Sequence, residues 1–396
     1  MPPRLAFKAR EFSGGLGDLG TFLPLSLGVS IACGMDFGLI VLFAGVMNIA
    51  TGLLFGQPIP VQPMKAIAAI AIAGGMTQAE VRWAGVWMGA MLLAIAMLPR
   101  FDAMVGRVPR AWIGALQAGI GLKLAWLGVE MIAALPVGGA DGAIVSGGLL
   151  IVLLLMASRA AWLLPLVVGL GALQAWWMAS ATTSAELLAP TATIEPIVPT
   201  SATMDTESSV RAAWSGLYAL ALPQLPLTLL NSVVAVCALS AAYYPGRGVP
   251  PKRMTTSVAV MNVVACPLGG MPMCHGAGGL AAQHHFGART GGSVVMLGVL
   301  KASLAIAAWP WLAELIAAYP AAMLAPLLII AGGRLAWAAR PAWQGLDRWT
   351  VGLGAGAIFF GGTLIGVAVT VALGATIGRL KNTHEPTRTT PEEGDR

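Results

Sequence analysis

The sequence predicts an all-α polytopic membrane protein, a seven-plus-seven inverted repeat with two half-helices, each preceded by a short extended segment at the membrane midplane. Three observations predict it. Of 396 residues, 57% are hydrophobic and only 10% are charged, against about 25% charged in a soluble domain. Two apolar segments are broken by proline where a membrane helix should run on. Those two segments share a motif and lie about half the chain apart.

The apolar runs set the spans. Candidates lie at 16–33, 36–55, 63–76, 83–99, 111–130, 142–157 and 160–180, then at 215–240, 254–265, 272–283, 291–309 and 318–336. The block 349–378 is interrupted at Gly361-Gly362 and reads as a hairpin of two short helices, which brings the count to about fourteen spans. The chain then divides into a cytoplasmic N-terminal segment 1–15, a first repeat 16–180, an extracytoplasmic linker 181–211, a second repeat 212–380 and a disordered tail 381–396. No secretory signal with a cleavage site is evident, so the first span is expected to stay.

Charge orients the spans. With Arg4, Lys8 and Arg10 in the cytoplasm, the loops carrying Arg100, Arg107 and Arg110, Arg159, Arg247, Lys252 and Arg253, Arg289, and Arg334, Arg340 and Arg348 also fall inside. The linker bearing Glu186, Glu195, Asp205 and Glu207 falls outside. Both termini are thus expected in the cytoplasm, and the protein in the cytoplasmic (inner) membrane. The net charge of +6 is accounted for by loop bias, so nucleic acid is not an expected partner. Cys33, Cys237, Cys266 and Cys274 form no CxxC pair and read as apolar thiols.

The broken spans carry the chemistry. Gln57-Pro58-Ile59-Pro60-Val61-Gln62-Pro63 cannot be an ordinary helix, because proline removes backbone donors and extends the residue before it. Met64 to Gly74 then reads as a helix. Cys266 to Pro272, followed by a helix from Met273, repeats the plan. Such backbone survives at membrane depth only inside protein or along a cavity. Two helix N-termini meeting there would suit a small oxyanion.

Each polar residue nearby has two readings. Lys65 compensates an anion, or it pairs with Asp18 or snorkels. His275 is a ligand or a satisfied core histidine. Asp18 is an N-cap or a titrating carboxylate in a proton relay. Gly276, Gly278 and Gly279 let backbone approach a ligand or pack helices closely. Gln224, Thr228 and Asn231 share one helix face as interhelical glue or ligand contacts. Lys123 reads as snorkelling, and Lys301 has no account. Gly15 to Gly20 matches GxGxxG, but no strand precedes it, so a dinucleotide site is rejected. An intramembrane enzyme using Cys274 and His275 is disfavoured, since adjacent helix residues do not face each other. A zinc site from Cys266, Cys274 and His275 lacks the usual spacing. No metal or other cofactor is implied.

GDLGTFLPL (17–25), PIPVQPMKAIAAIAIAGG (58–75), LPQLPLTLLNSVVAVCALS (222–240) and CPLGGMPMCHGAGGLAAQHHFGARTGG (266–292) resemble the molybdate transporter family, a branch related to the sulfate permeases. The resemblance implies a uracil-permease-like fold and a secondary active importer of molybdate or a related oxyanion. Sulfate, another anion or a nucleobase is the alternative cargo. It implies a core domain moving against a gate domain, with the oxyanion held between the third and tenth spans. Apart from the resemblance, Asp18 and His275 are among the few ionisable residues at membrane depth, so protons are the expected coupling ion through one of them. A homodimer is a further expectation. By motif, the substrate site comprises Gln62, Pro63, Met64, Lys65, Cys274, His275 and Gly276. Gly17, Asp18 and Thr21 flank it, with Gln224 and Asn231 on the opposite half.

Overall fold

The computed structural model describes residues 5–99, 109–156, 163–186 and 206–384. The first half contains α1 (Ala9–Leu16), α2 (Leu19–Cys33), α3 (Phe37–Phe55), β1 (Gln62–Pro63), α4 (Lys65–Gly74), α5 (Gln78–Ala96), α6 (Arg110–Ala134), α7 (Ala143–Met156) and α8 (Leu163–Glu186). The second contains α9 (Glu207–Tyr243), α10 (Pro251–Ala265), β2 (Met273–Cys274), α11 (Ala277–His285), α12 (Gly292–Ala317), α13 (Ala321–Trp337), α14 (Asp347–Gly361) and α15 (Thr363–His384).

Most expected spans are found as helices, with shifted ends. The first helix begins at Ala9 rather than 16 and bends by 45° between α1 and α2. Glu11 anchors it: its buried carboxylate accepts the amides of Arg289 and Thr290 at 3.0 and 3.1 Å. Helix α8 runs on to Glu186 and α9 begins before 212, so helix covers both ends of the expected linker; 187–205 lies outside the described residues. The 349–378 block is a hairpin, turned at Gly362 with φ 86°, a conformation that favours glycine. Its second helix reaches His384, so the first residues of the expected tail are helical; 385–396 lies outside the described residues.

Among the described residues, five helices (α3, α5, α6, α9 and α13) are individually long and apolar enough to cross a membrane, and the bent α1–α2 pair makes a sixth. The surface agrees with a lipid environment. Ile144, Leu155, Ile306 and Phe360 are exposed, Phe360 at 86%, where a soluble protein would bury such side chains.

The helix partners reveal the internal symmetry. Helix α3 packs along α12, and α5 along α10. Exchanging the halves converts one pair into the other, since each joins the helix before a broken segment to the helix after its counterpart. Helix α6 packs along α13, its own counterpart. Small residues allow these approaches. A Cβ on Gly45 of α3 would lie 2.7 Å from Gly298 O and Ala302 N of α12. One on Gly121 of α6 would lie 2.6 Å from Gly332 O of α13.

Helix α9 departs from regular geometry. Residues Gly216–Ala221 and Thr228–Ala235 are π-helical. Pro223 and Pro226 lie in and around the intervening turn and donate no amide, so the regular ladder cannot be kept.

Candidate functional site

Strands β1 and β2 cross at the centre of this arrangement. They pair antiparallel, with Gln62 opposite Cys274 and Pro63 opposite Met273. Met64 N donates to Pro272 O at 2.9 Å. The pair is only two residues long on each side, so side chains must complete its hydrogen bonding. Asn48 Oδ1 of α3 accepts the Val61 amide at 3.0 Å. Asn262 Oδ1 of α10 accepts the Met273 amide at 2.9 Å, and its Nδ2 donates to Met273 O at 2.7 Å. One asparagine from the helix before each broken segment thus holds that segment's backbone.

The helix expected from Met273 begins instead at Ala277, because Met273 and Cys274 are drawn into the strand. The two short helices also differ at their N-termini. Gln224 Oε1 of α9 accepts the amides of Ala66 and Ile67 at 2.8 and 3.3 Å, so α4 is capped from another helix. Gln224 Nε2 donates to Thr228 Oγ1 at 2.9 Å. Helix α11 has no side-chain cap at Gly276, leaving its first-turn amides available.

A cavity of about 260 Å³ opens beside that uncapped end. Thr21, Lys65, Asn231, Gly278, Gln117 and Arg334 line it, together with Gly17, Gly20, Gly279 and apolar residues of α6 and α13. Its lining holds two cationic side chains and no carboxylate. Lys65 is half-buried and Arg334 is exposed.

Of the residues singled out in the sequence, the structure brings Gly17, Thr21, Lys65, Asn231, Gly278 and Gly279 to this cavity. Gln62, Pro63, Met64, Asp18, Gln224, Cys274, His275 and Gly276 are buried behind it. Gln62 Nε2 donates to Asp18 Oδ1 at 2.5 Å. Asp18 Oδ2 lies 3.8 Å from Lys301 Nζ, whose ammonium sits 3.6 Å from the centre of the Phe22 ring. Gly276 and Gly279 make room for Gln62, since a Cβ on either would collide with its amide. His275 Nδ1 lies 2.9 Å from Pro60 O, a pure acceptor, so Nδ1 carries the proton. Its Nε2, 3.0 Å from Ser257 Oγ, is then free to accept the hydroxyl hydrogen. Both ring nitrogens are engaged within the protein.

Sequence reasoning missed Gln117 and Arg334. Gln117 was a visible signal, a polar side chain inside an apolar run. Arg334 was read only as loop charge, yet it sits in the last turn of α13.

Solved structures share this fold. The transmembrane domain of a cyanobacterium bicarbonate transporter, BicA, superposes with a TM-score of 0.59 at 17% identity, over 93% of this chain and 95% of that one. A structure of SLC26A9 gives 0.66 at 11% identity, over 94% and 65%. The murine Slc26a9 anion transporter in the inward-facing state gives 0.61 at 12%, over 95% and 69%. The fold is therefore that of a multi-pass, inverted-repeat membrane protein.

The family described as "Molybdate transporter of MFS superfamily" matches residues 10–124 and 216–335. Molybdate transporter 1 of Arabidopsis thaliana is 31% identical over 84% of this chain and 80% of its own length. Molybdate transporter 1 of Chlamydomonas reinhardtii is 31% identical over 82% and 83%. The chain belongs to the molybdate transporter family. It is thus an anion transporter, and its named relatives are transporters rather than enzymes.

Proposed function

We propose that this protein imports molybdate across the cytoplasmic membrane by alternating access. The observation that carries the reading is the cavity lined by Lys65 and Arg334 beside the uncapped N-terminus of α11, with no carboxylate in its lining. A doubly charged anion entering a low-dielectric space needs compensating charge and donors, and these groups supply both. The ligands in this reading are Lys65, the first-turn amides of α11, Thr21 and Asn231, with Arg334 at the approach. Gln62, Pro63, Met64, Gln224, Cys274, His275 and Gly276 hold the strand crossing in shape.

The short helices α4 and α11 lie at the membrane midplane in this reading, and both termini face the cytoplasm. The core around the strand crossing moves against a gate built on α6 and α13, whose residues form the far wall of the cavity. Import against an inside-negative potential costs about 2.3 kcal/mol per charge per 100 mV, so coupling to a second gradient, or a steep inward gradient of the anion itself, is needed. Asp18 is the group proposed to couple protons. It binds Gln62 of β1 and faces Lys301, so protonation would loosen the strand it holds. His275 is less suited, because both its nitrogens are already engaged. A homodimer is compatible with this mechanism and is not required by it.

Radiolabelled molybdate uptake into proteoliposomes tests the reading, with sulfate as competitor and an imposed pH gradient. Uptake that saturates and resists excess sulfate is the expected result. Preferential sulfate uptake would reassign the substrate. Indifference to the pH gradient would remove the proton.

A further inference from the structure

A second cavity, of about 480 Å³, lies between α3 and α10, away from the transport site. Its inner stretch is apolar, formed by Ala50, Leu54, Val260 and Met261. Its end is cationic: Lys252 and Arg253, both exposed, stand in the first turn of α10. Thr256 contributes a hydroxyl, and no acidic side chain lines the groove. Arg253 is held against the end of α3, its guanidinium 5.8 Å from the Phe55 ring centre and 3.4 Å from Leu54 O.

In a membrane protein this groove is a place for lipid. Leu54 and Val260 on its walls are about half exposed, at 51% and 49%. Two cations at the mouth of an apolar channel match one amphiphile by charge and shape, a phospholipid with an anionic headgroup. We propose that the α3–α10 groove binds an anionic phospholipid, its phosphate against Lys252 and Arg253 and one acyl chain along Leu54 and Val260.

The groove touches the machinery behind it. Ser257 lines it, and Ser257 Oγ meets His275 Nε2, whose ring holds Pro60 O just before β1. A lipid seated there braces the α10 wall against which the strand crossing is hung. Binding only to the folded protein raises its thermal midpoint.

The purified protein is placed in nanodiscs of phosphatidylcholine alone, or mixed with phosphatidylglycerol, and its unfolding midpoint is read. The expected result is a rise of about 3 °C with the anionic lipid. The rise should be lost in the Lys252→Gln/Arg253→Gln variant. It should be lost as well in Val260→Trp, which keeps both cations but fills the acyl channel. Native mass spectrometry should show retained phosphatidylglycerol only on the wild type. An equal midpoint in both lipids overturns the proposal, as does an equal rise in the wild type and both variants. Inorganic phosphate added to the phosphatidylcholine discs should do nothing; a matching rise would make the site one for free anions and overturn the lipid assignment. None of these readouts involves molybdate, so they stand apart from the transport reading.

Discussion

Lys301 Nζ lies 3.8 Å from Asp18 Oδ2, with both side chains shut away from solvent. The contact links α12, in the second half of the chain, to the bend between α1 and α2 in the first. It also explains a mid-span lysine that the hydropathy pattern could not place. Lys301 neutralises the carboxylate that orients Gln62, and the Phe22 ring takes up the other side of its ammonium.

Removing one partner of this pair should destabilise the protein more than removing both. Lys301→Met leaves Asp18 buried without its counter-charge, at a cost of about 3 kcal/mol. Asp18→Asn/Lys301→Met leaves no charge and should recover most of that loss. Thermal unfolding of the wild type and both variants in one detergent checks the order. A double variant no better than the lysine variant would mean the pair contributes little as a pair.

Lys65→Ala should abolish molybdate uptake while leaving the fold intact. Lys65 is the deeper cation of the cavity, in the first turn of α4. Without it, the substrate's charge is left poorly compensated where water cannot screen it. Proteoliposome uptake with a parallel unfolding curve separates binding loss from misfolding. Normal kinetics would make Lys65 structural.

The architecture was legible in the sequence because hydropathy and proline act locally. Pro58, Pro60 and Pro63 crowd three missing amides into six residues, more than a helix can carry, and the Pro-Met pairs marked both crossing strands. The site was legible only in part, because its roles depend on partners far along the chain. Nothing local told that Gln224 would reach the amides of Ala66 and Ile67, 158 and 157 residues away. Nor could spacing show that Gly276 and Gly279 accommodate the Gln62 side chain. The π-helical turn that carries Asn231 was likewise hidden, since no residue pattern in 228–235 announces it.

Gln224→Leu separates a capping role from a ligand role. The substitution orphans the Ala66 and Ile67 amides, which costs about 1–3 kcal/mol. The unfolding midpoint should fall, yet molybdate should still raise it by the same increment as in the wild type. Loss of that increment would place Gln224 on the anion.

Gly276→Ala should be far more damaging than Gly278→Ala. A methyl group at Gly276 runs into the Gln62 amide, whereas at Gly278 it meets open space. The unfolding midpoint and uptake should fall in the first variant, where Gln62 must swing away from Asp18, and persist in the second, with Km rising where the methyl narrows the cavity. A companion Gln62→Ala change should restore the midpoint of Gly276→Ala, because the clash is with that side chain alone among its nearest contacts. If the pair's midpoint stays low, the glycine serves the backbone and not the fit.

Arg334→Gln should weaken substrate capture without stopping the transport step. Arg334 is exposed in the last turn of α13 and lines the same cavity as Lys65. An exposed charge acts on an approaching anion through solvent, so salt screens it within about 10 Å at 0.1 M. The variant should show a Km raised about tenfold, equivalent to about 1.4 kcal/mol, with its maximal rate nearly unchanged. Raising ionic strength should erode the wild-type advantage until the two converge, since steering by an exposed cation fades with salt. Lys65→Gln should show no such convergence, because its loss is felt inside the cavity. Uptake measured across a salt series in both variants checks this. A maximal rate that falls with Arg334→Gln at every ionic strength would give the arginine a role in gate movement instead of capture.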